Sequence, residues 1–373
     1  MEISIMKNLA RETLHKLGIH NLRENMEYDW LKLQGKPYYW TNYPMAVQID
    51  TTNKCGPKAD CSGIFCSYCF PQGEVLAGRD FHTEMPMDWI KWIFKDIAKH
   101  MPHLTNKEWP PRQQTCLFLN GDWQNETRSQ EILELYNNFL SWLPSQVFTC
   151  GTKPEQAWRF TNPKLNWVCV TCSAPDRETY KKVHGGDKFE SVMETMRYID
   201  TNAHSSQHLE VHCVVTKDNI ESIGNWYKLM GEKFPRWRRV LSPLVKSQCN
   251  QRSVDSMGNL TVEEQEQRIK LIDSKAQFWN HQTTALRQPC VLWNNAAITV
   301  HGEVLQCCNW DAKDKWNYGY IQDYIDEGRS LKDYWLERLA NKQRNSLCRA
   351  CNLRHPQFKQ RLNNIKLNVE VNV

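Results

Sequence analysis

TTNKCGPKADCSGIFCSYCF, residues Thr51 to Phe70, carries Cys55, Cys61, Cys66 and Cys69 immediately behind the short apolar run MAVQID, Met45 to Asp50. The run reads as a strand. The Gly-containing loop that leaves its C-terminal end occupies the position at which parallel α/β folds collect their chemistry. Cys66-Ser67-Tyr68-Cys69 is a CxxC pair, which alone suits a zinc knuckle, a redox dithiol or two ligands of an iron-sulfur cluster. A structural zinc site is closed by four ligands and has no need of that position. A cluster held by three thiolates leaves one iron open for a ligand, and either Cys55 or Cys61 is placed to supply the third.

Outward from this loop, short apolar runs alternate with longer amphipathic ones, the pattern of repeated βα units and a parallel sheet. Five further strands are expected: TCLFLNG (Thr115 to Gly121), QVFTCG (Gln146 to Gly151), NWVCVTCSA (Asn166 to Ala174), HLEVHCVVT (His208 to Thr216) and RRVLSPLV (Arg238 to Val245). Their nearly continuous apolar character suits strands buried on both faces. Between them MDWIKWIFKDIAKHM, QEILELYNNFLSWL, FESVMETMRYI and IESIGNWYKLMGEKF repeat apolar residues three and four apart, as helices do. Residues 246 to 259 form a polar break, after which Thr261 and Glu264 have capping-box spacing. PCVLWNNAAITVHGEVLQCCNW, Pro289 to Trp310, then reads as two strands turned at His301-Gly302. A domain boundary is expected near residue 280.

The 373 residues suffice for one large domain and a small appendage. A balance of 47 basic against 42 acidic side chains gives +5, too small and too evenly spread to argue for nucleic acid or an anionic membrane. The N-terminal stretch, with Ile5, Leu9, Leu14 and Leu17 near helical spacing, reads as an amphipathic helix and not a signal peptide. No segment approaches the ~20 apolar residues that cross a bilayer. Fifteen cysteines then suit a reducing, cytoplasmic setting, where grouped cysteines bind metals more often than each other. Cys116, Cys150, Cys169, Cys172, Cys213 and Cys249 lie in or beside strands, and most of them read as buried packing residues.

The strand followed by TNKC and CSYCF resembles the cluster loop of radical S-adenosylmethionine enzymes, with Tyr68 as the aromatic residue before the last cysteine. The spacing departs from the family's usual CxxxCxxC. The position of Cys55 directly after Thr52-Asn53-Lys54 makes it the matching first cysteine, with GPKADCSGIF as an insertion. Asn120-Gly121-Asp122 resembles the family's Gly-Gly-Glu turn, which binds the amino group of the cosubstrate, and FTCGT resembles its TNGT turn. Ser173 matches the serine whose hydroxyl contacts the cosubstrate, and VVTKDN the segment that lines the adenine. His184 stands where many relatives carry the arginine that holds the methionine carboxylate. Singly, Gly121, Ser173 and Asn219 suit turns and caps; their order on successive strands is what carries the resemblance.

Cys290, eleven residues, Gly302, four residues, Cys307, forty residues and Cys348-Arg349-Ala350-Cys351 form a second constellation, with Cys308 as an alternative to Cys307. Spacing alone also suits a zinc ribbon. The pattern resembles the twitch domain, a smaller relative of the SPASM domain, and no cysteine follows Cys351, which implies one auxiliary [4Fe-4S] cluster.

The resemblance implies a partial six-stranded (β/α)6 barrel over residues 45–280. A helical extension (1–44) precedes it and a hairpin-plus-helix iron-sulfur domain (281–373) follows. It further implies a [4Fe-4S] cluster on Cys55, Cys66 and Cys69 that reductively cleaves S-adenosylmethionine, so that a hydrogen atom is taken from the substrate. Tyr68, Gly121, Asp122, Ser173 and His184 would line the cosubstrate. A flavodoxin or ferredoxin would supply electrons, and the substrate would be a peptide or protein side chain. Dehydrogenation of a small carbohydrate-like molecule is the alternative reaction; a non-catalytic zinc-binding or electron-transfer protein is the alternative class.

Overall fold

A computed structural model describes residues 43–55, 83–101, 114–117, 121–243, 295–305 and 317–340, with isolated helical positions at 267, 270 and 271. The expected N-terminal helix, the capping box at Thr261 and Glu264, and Cys249 lie outside these residues.

All six expected strands of the core are present. β1 (Ala46–Ile49), β2 (Gln114–Cys116), β3 (Ser145–Thr149), β4 (Trp167–Thr171), β5 (His208–Val215) and β6 (Arg238–Pro243) pair in parallel in chain order. The four expected helices follow as α1 (Met87–His100) after β1, α2 (Ser129–Leu140) after β2, α4 (Phe189–Asn202) after β4 and α5 (Ile223–Lys233) after β5. A shorter helix, α3 (Arg177–His184), precedes α4; Asp176 caps its N-terminus at Thr179 N and Gly185, at φ 73°, ends it in the left-handed region. Its eight residues present too short an apolar stripe to stand out in the sequence, although the cap and the Gly were both in view.

The sheet does not stop at β1. β7 (Asn295–Ile298) pairs with β1 in parallel, and β8 (Glu303–Leu305) and β9 (Asn317–Tyr320) add antiparallel strands, giving the order β6-β5-β4-β3-β2-β1-β7-β8-β9 among the described residues. The hairpin expected at His301-Gly302 is therefore an extension of the main sheet. Gly302 has φ 82°, and a side chain there would meet Trp89 on α1. β9, α6 (Ile321–Asp326) and α7 (Leu331–Ala340) make up the rest of the described C-terminal part. Asp96 on α1 fastens it: the buried carboxylate accepts Tyr43 Oη at 2.9 Å and the Leu331 backbone N–H at 3.0 Å.

The strands are two-sided. Val147, Val168, Val170, Leu209 and Val211 join one hydrophobic core with α1, α2, α4 and α5. Alternate positions turn to the opposite, concave face, where Phe148, Cys169, Glu210, His212 and Arg238 stand at neighbouring register positions. The sheet thus has an apolar outside beneath helices and a polar lumen.

Candidate active site

The described part of the site is built where β1 to β5 end. After β1 the chain runs through Asp50, Thr51, Thr52 and Asn53, all buried, to Cys55, which is partly exposed. Gly121 lies directly against this turn. Its N–H donates to Asp50 Oδ1 at 3.3 Å, and a Cβ at Gly121 would fall 1.8 Å from the Thr52 carbonyl oxygen. Only a residue without a side chain allows the two turns to approach so closely. The Asp122 N–H then donates to the Lys54 carbonyl at 2.9 Å, next to Cys55.

Asp122 is buried and caps a short 3-10 turn, Trp123–Asn125. Its carboxylate accepts the Gln124 N–H at 3.1 Å, the Gln124 amide at 2.9 Å, the Cys150 N–H at 2.8 Å and the Cys150 thiol at 2.7 Å. Burial raises the Asp122 pKa, and the donors from Cys150 and Gln124 only partly offset that rise. Cys150 is consequently no simple packing residue: it joins the exits of β2 and β3. A period-2 reading of QVFTCG could have placed it on the concave side, but not against Asp122.

Beyond these turns, Glu84 binds Lys54 Nζ at 2.9 Å and Thr127 Oγ1 at 2.9 Å. Burial would raise the Glu84 pKa, yet the Lys54 and Thr127 hydrogen bonds outweigh it and hold the carboxyl below its usual value. A polar cavity of about 340 Å³ opens on this rim between Lys54, Asn125, Lys153 and Arg159. Of its lining residues only Lys54 belongs to a motif visible in the sequence, TNKC; the others lie in loops and short 3-10 turns that carry none.

Ser173 follows β4 and is fully buried. Its Oγ accepts the Val214 N–H at 3.0 Å, its carbonyl accepts the Asn219 amide at 2.8 Å, and its N–H donates to His184 Nε2 at 3.1 Å. Asn219 also accepts the Thr216 N–H at 2.8 Å, so it closes the turn after β5 as well. His184 is buried and stacks on Tyr180 with ring centroids 4.2 Å apart. Burial pushes its pKa down to about 3, which keeps the ring neutral. A neutral ring whose Nε2 accepts from the backbone supplies no positive charge, unlike the arginine of the resemblance. Gly121, Asp122, Ser173 and His184 therefore gather at the C-terminal ends of the strands, whereas Cys61, Cys66, Tyr68, Cys69, Asn120, Cys290, Cys307, Cys308, Cys348 and Cys351 lie outside the described residues.

Deeper in the lumen a network missed in the sequence joins β4, β5 and β6. Glu210 accepts the His212 Nε2 proton at 2.9 Å and Arg238 Nη1 at 3.0 Å, while the Cys169 thiol points at the same carboxylate from 3.7 Å. Burial would raise the Glu210 pKa, but His212 and Arg238 outweigh it and hold the carboxyl down. The polar alternation His208, Glu210, His212 within HLEVHCVVT was the available signal. On the same concave face the buried Gln48 Oε1 has no hydrogen-bond partner among the described residues.

No protein-family model matches the chain, and no curated protein matches it in sequence. Solved structures do match in three dimensions. Streptococcus suis SuiB bound to S-adenosylmethionine superposes with a TM-score of 0.62 at 12% identity, covering 93% of this chain and 81% of SuiB. SuiB bound to its precursor peptide SuiA gives 0.60 at 13% identity, over 93% and 82% of the two chains. Native anSMEcpe with bound AdoMet and the Cp18Cys peptide gives 0.51 at 14% identity, over 87% of this chain and 99% of that one. The chain has the fold of these S-adenosylmethionine-bound proteins, the α/β fold that its resemblance to radical S-adenosylmethionine enzymes implies.

Proposed function

We propose that the protein is a radical S-adenosylmethionine enzyme that modifies a peptide or protein side chain. The observation that carries the reading is the cradle at the end of β1. Gly121 leaves no space for a Cβ against Thr52, and Asp122 N–H holds the Lys54 carbonyl, so the chain is fixed immediately before Cys55. The fit is chemical as well as geometric. Cys55, Cys66 and Cys69 supply three thiolates, the number that leaves one iron of a [4Fe-4S] cluster for S-adenosylmethionine. When bound, that cluster supplies the electron that cleaves S-adenosylmethionine.

The chain's own residues do the holding. Asp122 offers a carboxylate toward the cosubstrate's ammonium; Gly121 lets the turn that carries Asp122 close on Thr52; Ser173 and Asn219 shape the β4 and β5 exits; and Tyr68 directly precedes the last cysteine in sequence. The concave face excludes water from the reacting carbon beneath them. His184 belongs to this site as the acceptor that orients the Ser173 backbone. A peptide substrate is favoured by the likeness over 93% of this chain to SuiB, which has been solved with its precursor peptide. A flavodoxin or ferredoxin is the proposed electron source, and Cys290, Cys307, Cys348 and Cys351 the proposed ligands of a second cluster.

Anaerobic reconstitution with iron and sulfide, followed by assay for 5′-deoxyadenosine under reducing conditions, tests the proposal. The wild type should release it. Cys55→Ala, Cys66→Ala and Cys69→Ala should abolish release and remove one cluster, whereas Cys61→Ala should retain both. Zinc without sulfide in anaerobically purified protein overturns the enzyme reading.

A further inference from the structure

Within the lumen, His212 stands in an arrangement that the cradle for cofactor and cosubstrate leaves unused. Its Nε2 proton goes to Glu210 at 2.9 Å, which fixes the neutral ring as the tautomer with its lone pair on Nδ1. No described residue hydrogen-bonds Nδ1. The ring packs edge-to-face on Phe148 at 5.3 Å, and Phe148, Thr171 and Val214 around it are only half-buried, so the Nδ1 side borders the open part of the lumen. The titratable groups that face it are Glu210 and His208 on its own strand, Cys169 on β4 and Arg238 on β6. Arg238, at 3.0 Å from the second Glu210 oxygen, keeps that carboxylate ionised and in place.

We propose that His212, oriented by Glu210, presents Nδ1 to the lumen as the proton acceptor for a substrate N–H or O–H. The step is a proton transfer alone. The substrate heteroatom–hydrogen bond breaks, its electron pair stays on the heteroatom, the proton forms a bond to Nδ1, and the resulting imidazolium is paired with the Glu210 carboxylate. No electron moves. The substrate class is therefore one with an amine, amide, indole or hydroxyl group beside the reacting carbon. A divalent cation on Cys169, Glu210 and His212 is the competing use of these side chains, whose ligand atoms lie within 4.8 Å of one another. Arg238 disfavours it, because a fixed cation already occupies the same carboxylate. Burial also raises the Cys169 pKa, opposing the thiolate that a metal needs.

This inference rests on the proposed function for the identity of the lumen's occupant, and its test is separate. Diethyl pyrocarbonate, a small reagent for neutral imidazole nitrogen, is applied to the folded full-length protein at neutral pH, and the modified histidines are located by peptide mass spectrometry. His212 should be carbethoxylated in the native protein, and Glu210→Gln should slow that modification several-fold while His204, on the surface, reacts as before. If Glu210→Gln does not fold, the wild type alone decides: modification of His212 only after denaturation overturns the proposal. So does one equivalent of bound zinc that protects His212 until it is chelated. Release of 5′-deoxyadenosine from the same preparation reports on the proposed function independently. Protein that releases it while native His212 resists the reagent refutes the acceptor and leaves the enzyme reading standing.

Discussion

The Ser173 backbone N–H donates to His184 Nε2 at 3.1 Å, so the end of β4 is held by an imidazole that must stay neutral to accept. Burial lowers the His184 pKa from 6.5 to about 3. The unfolded chain then binds the proton more readily than the folded one throughout that interval. Stability is fully present above pH 6.5 and is lost as pH falls toward 3. Between pH 6.5 and 5 the loss is about 2 kcal/mol, at about 1.4 kcal/mol per pH unit. Urea unfolding at the two pH values should show this decline in the wild type. His184→Gln, which keeps a neutral acceptor, should show a smaller one; an identical slope in both would rule out His184 as its source.

Gly121 makes a second prediction because its constraint is steric and not electrostatic. A Cβ there would lie 1.8 Å from the Thr52 oxygen and 2.6 Å from its carbonyl carbon, both backbone atoms that cannot swing aside. Gly121→Ala should force the turns after β1 and β2 apart and cost about 1–3 kcal/mol or more, as overpacking does. At Gly186, where a Cβ would meet nothing within 4 Å, the same substitution serves as the control. Equal midpoints in chemical denaturation would show that the close approach is not needed.

The core strands and the hairpin were legible because each is an apolar run bounded by turn residues, and α1, α2, α4 and α5 because their stripes are long. β9 was not, since four residues with Gly319 among them are too short for the alternation of Tyr318 and Tyr320 to mark a strand, and its place beside β8 depends on pairing across the chain. The order of Gly121, Ser173 and Asn219 on successive strand exits could be read from the sequence, as could their suitability for turns. What could not be read was which side of a strand a polar residue takes within a tertiary network. Cys150 looks in sequence like the strand cysteines Cys116 and Cys172, which are buried, yet it meets a carboxylate 28 residues away. Glu210 and His212 sat in a strand whose apolar majority masked their alternation, and Arg238 completes their network only through the β5–β6 register.

Asp122 offers a third prediction that separates framework from binding. Removing the carboxylate leaves the Gln124 and Cys150 backbone N–H groups without their acceptor, while the Gln124 amide keeps Thr152 Oγ1 at 3.1 Å, and each buried unmet donor costs about 1–3 kcal/mol. Asp122→Ala should therefore lower stability by about 2–4 kcal/mol once neighbours relax. If the same carboxylate also accepts the cosubstrate's ammonium, affinity for S-adenosylmethionine in the reconstituted protein should fall roughly tenfold to a hundredfold, the equivalent of a charge-assisted bond of about 1.5–3 kcal/mol. Iron content should be unchanged. Reduced stability with wild-type affinity, measured by calorimetric titration, would leave Asp122 as a bracket between β2 and β3 and nothing more.

The fourth prediction concerns the C-terminal cysteines. β7 and β8 join the main sheet through β1, so the hairpin between Cys290 and Cys307 is anchored whether or not metal is bound. The Tyr334 hydroxyl donates to the Leu305 carbonyl at 3.1 Å, and Arg338 Nη1 donates to the Asn295 carbonyl at 2.6 Å, so α7 is fastened to both strands of the hairpin. Loss of metal from this part should then leave the hairpin folded, unlike a zinc finger that unfolds without its ion. Replacing Cys348 and Cys351 together with Ala should lower iron and sulfide by one cluster's worth. The far-ultraviolet circular dichroism should stay close to wild type, and the core cluster should still respond spectroscopically to S-adenosylmethionine. A closed site of four thiolates has no free coordination position, so an added peptide should not change the auxiliary cluster's spectrum by direct ligation. A spectral change on peptide addition would mean that one of Cys290, Cys307, Cys348 and Cys351 is not a ligand. Collapse of the fold in the double variant would mean instead that metal, and not the β1–β7 pairing, holds the C-terminal part in place.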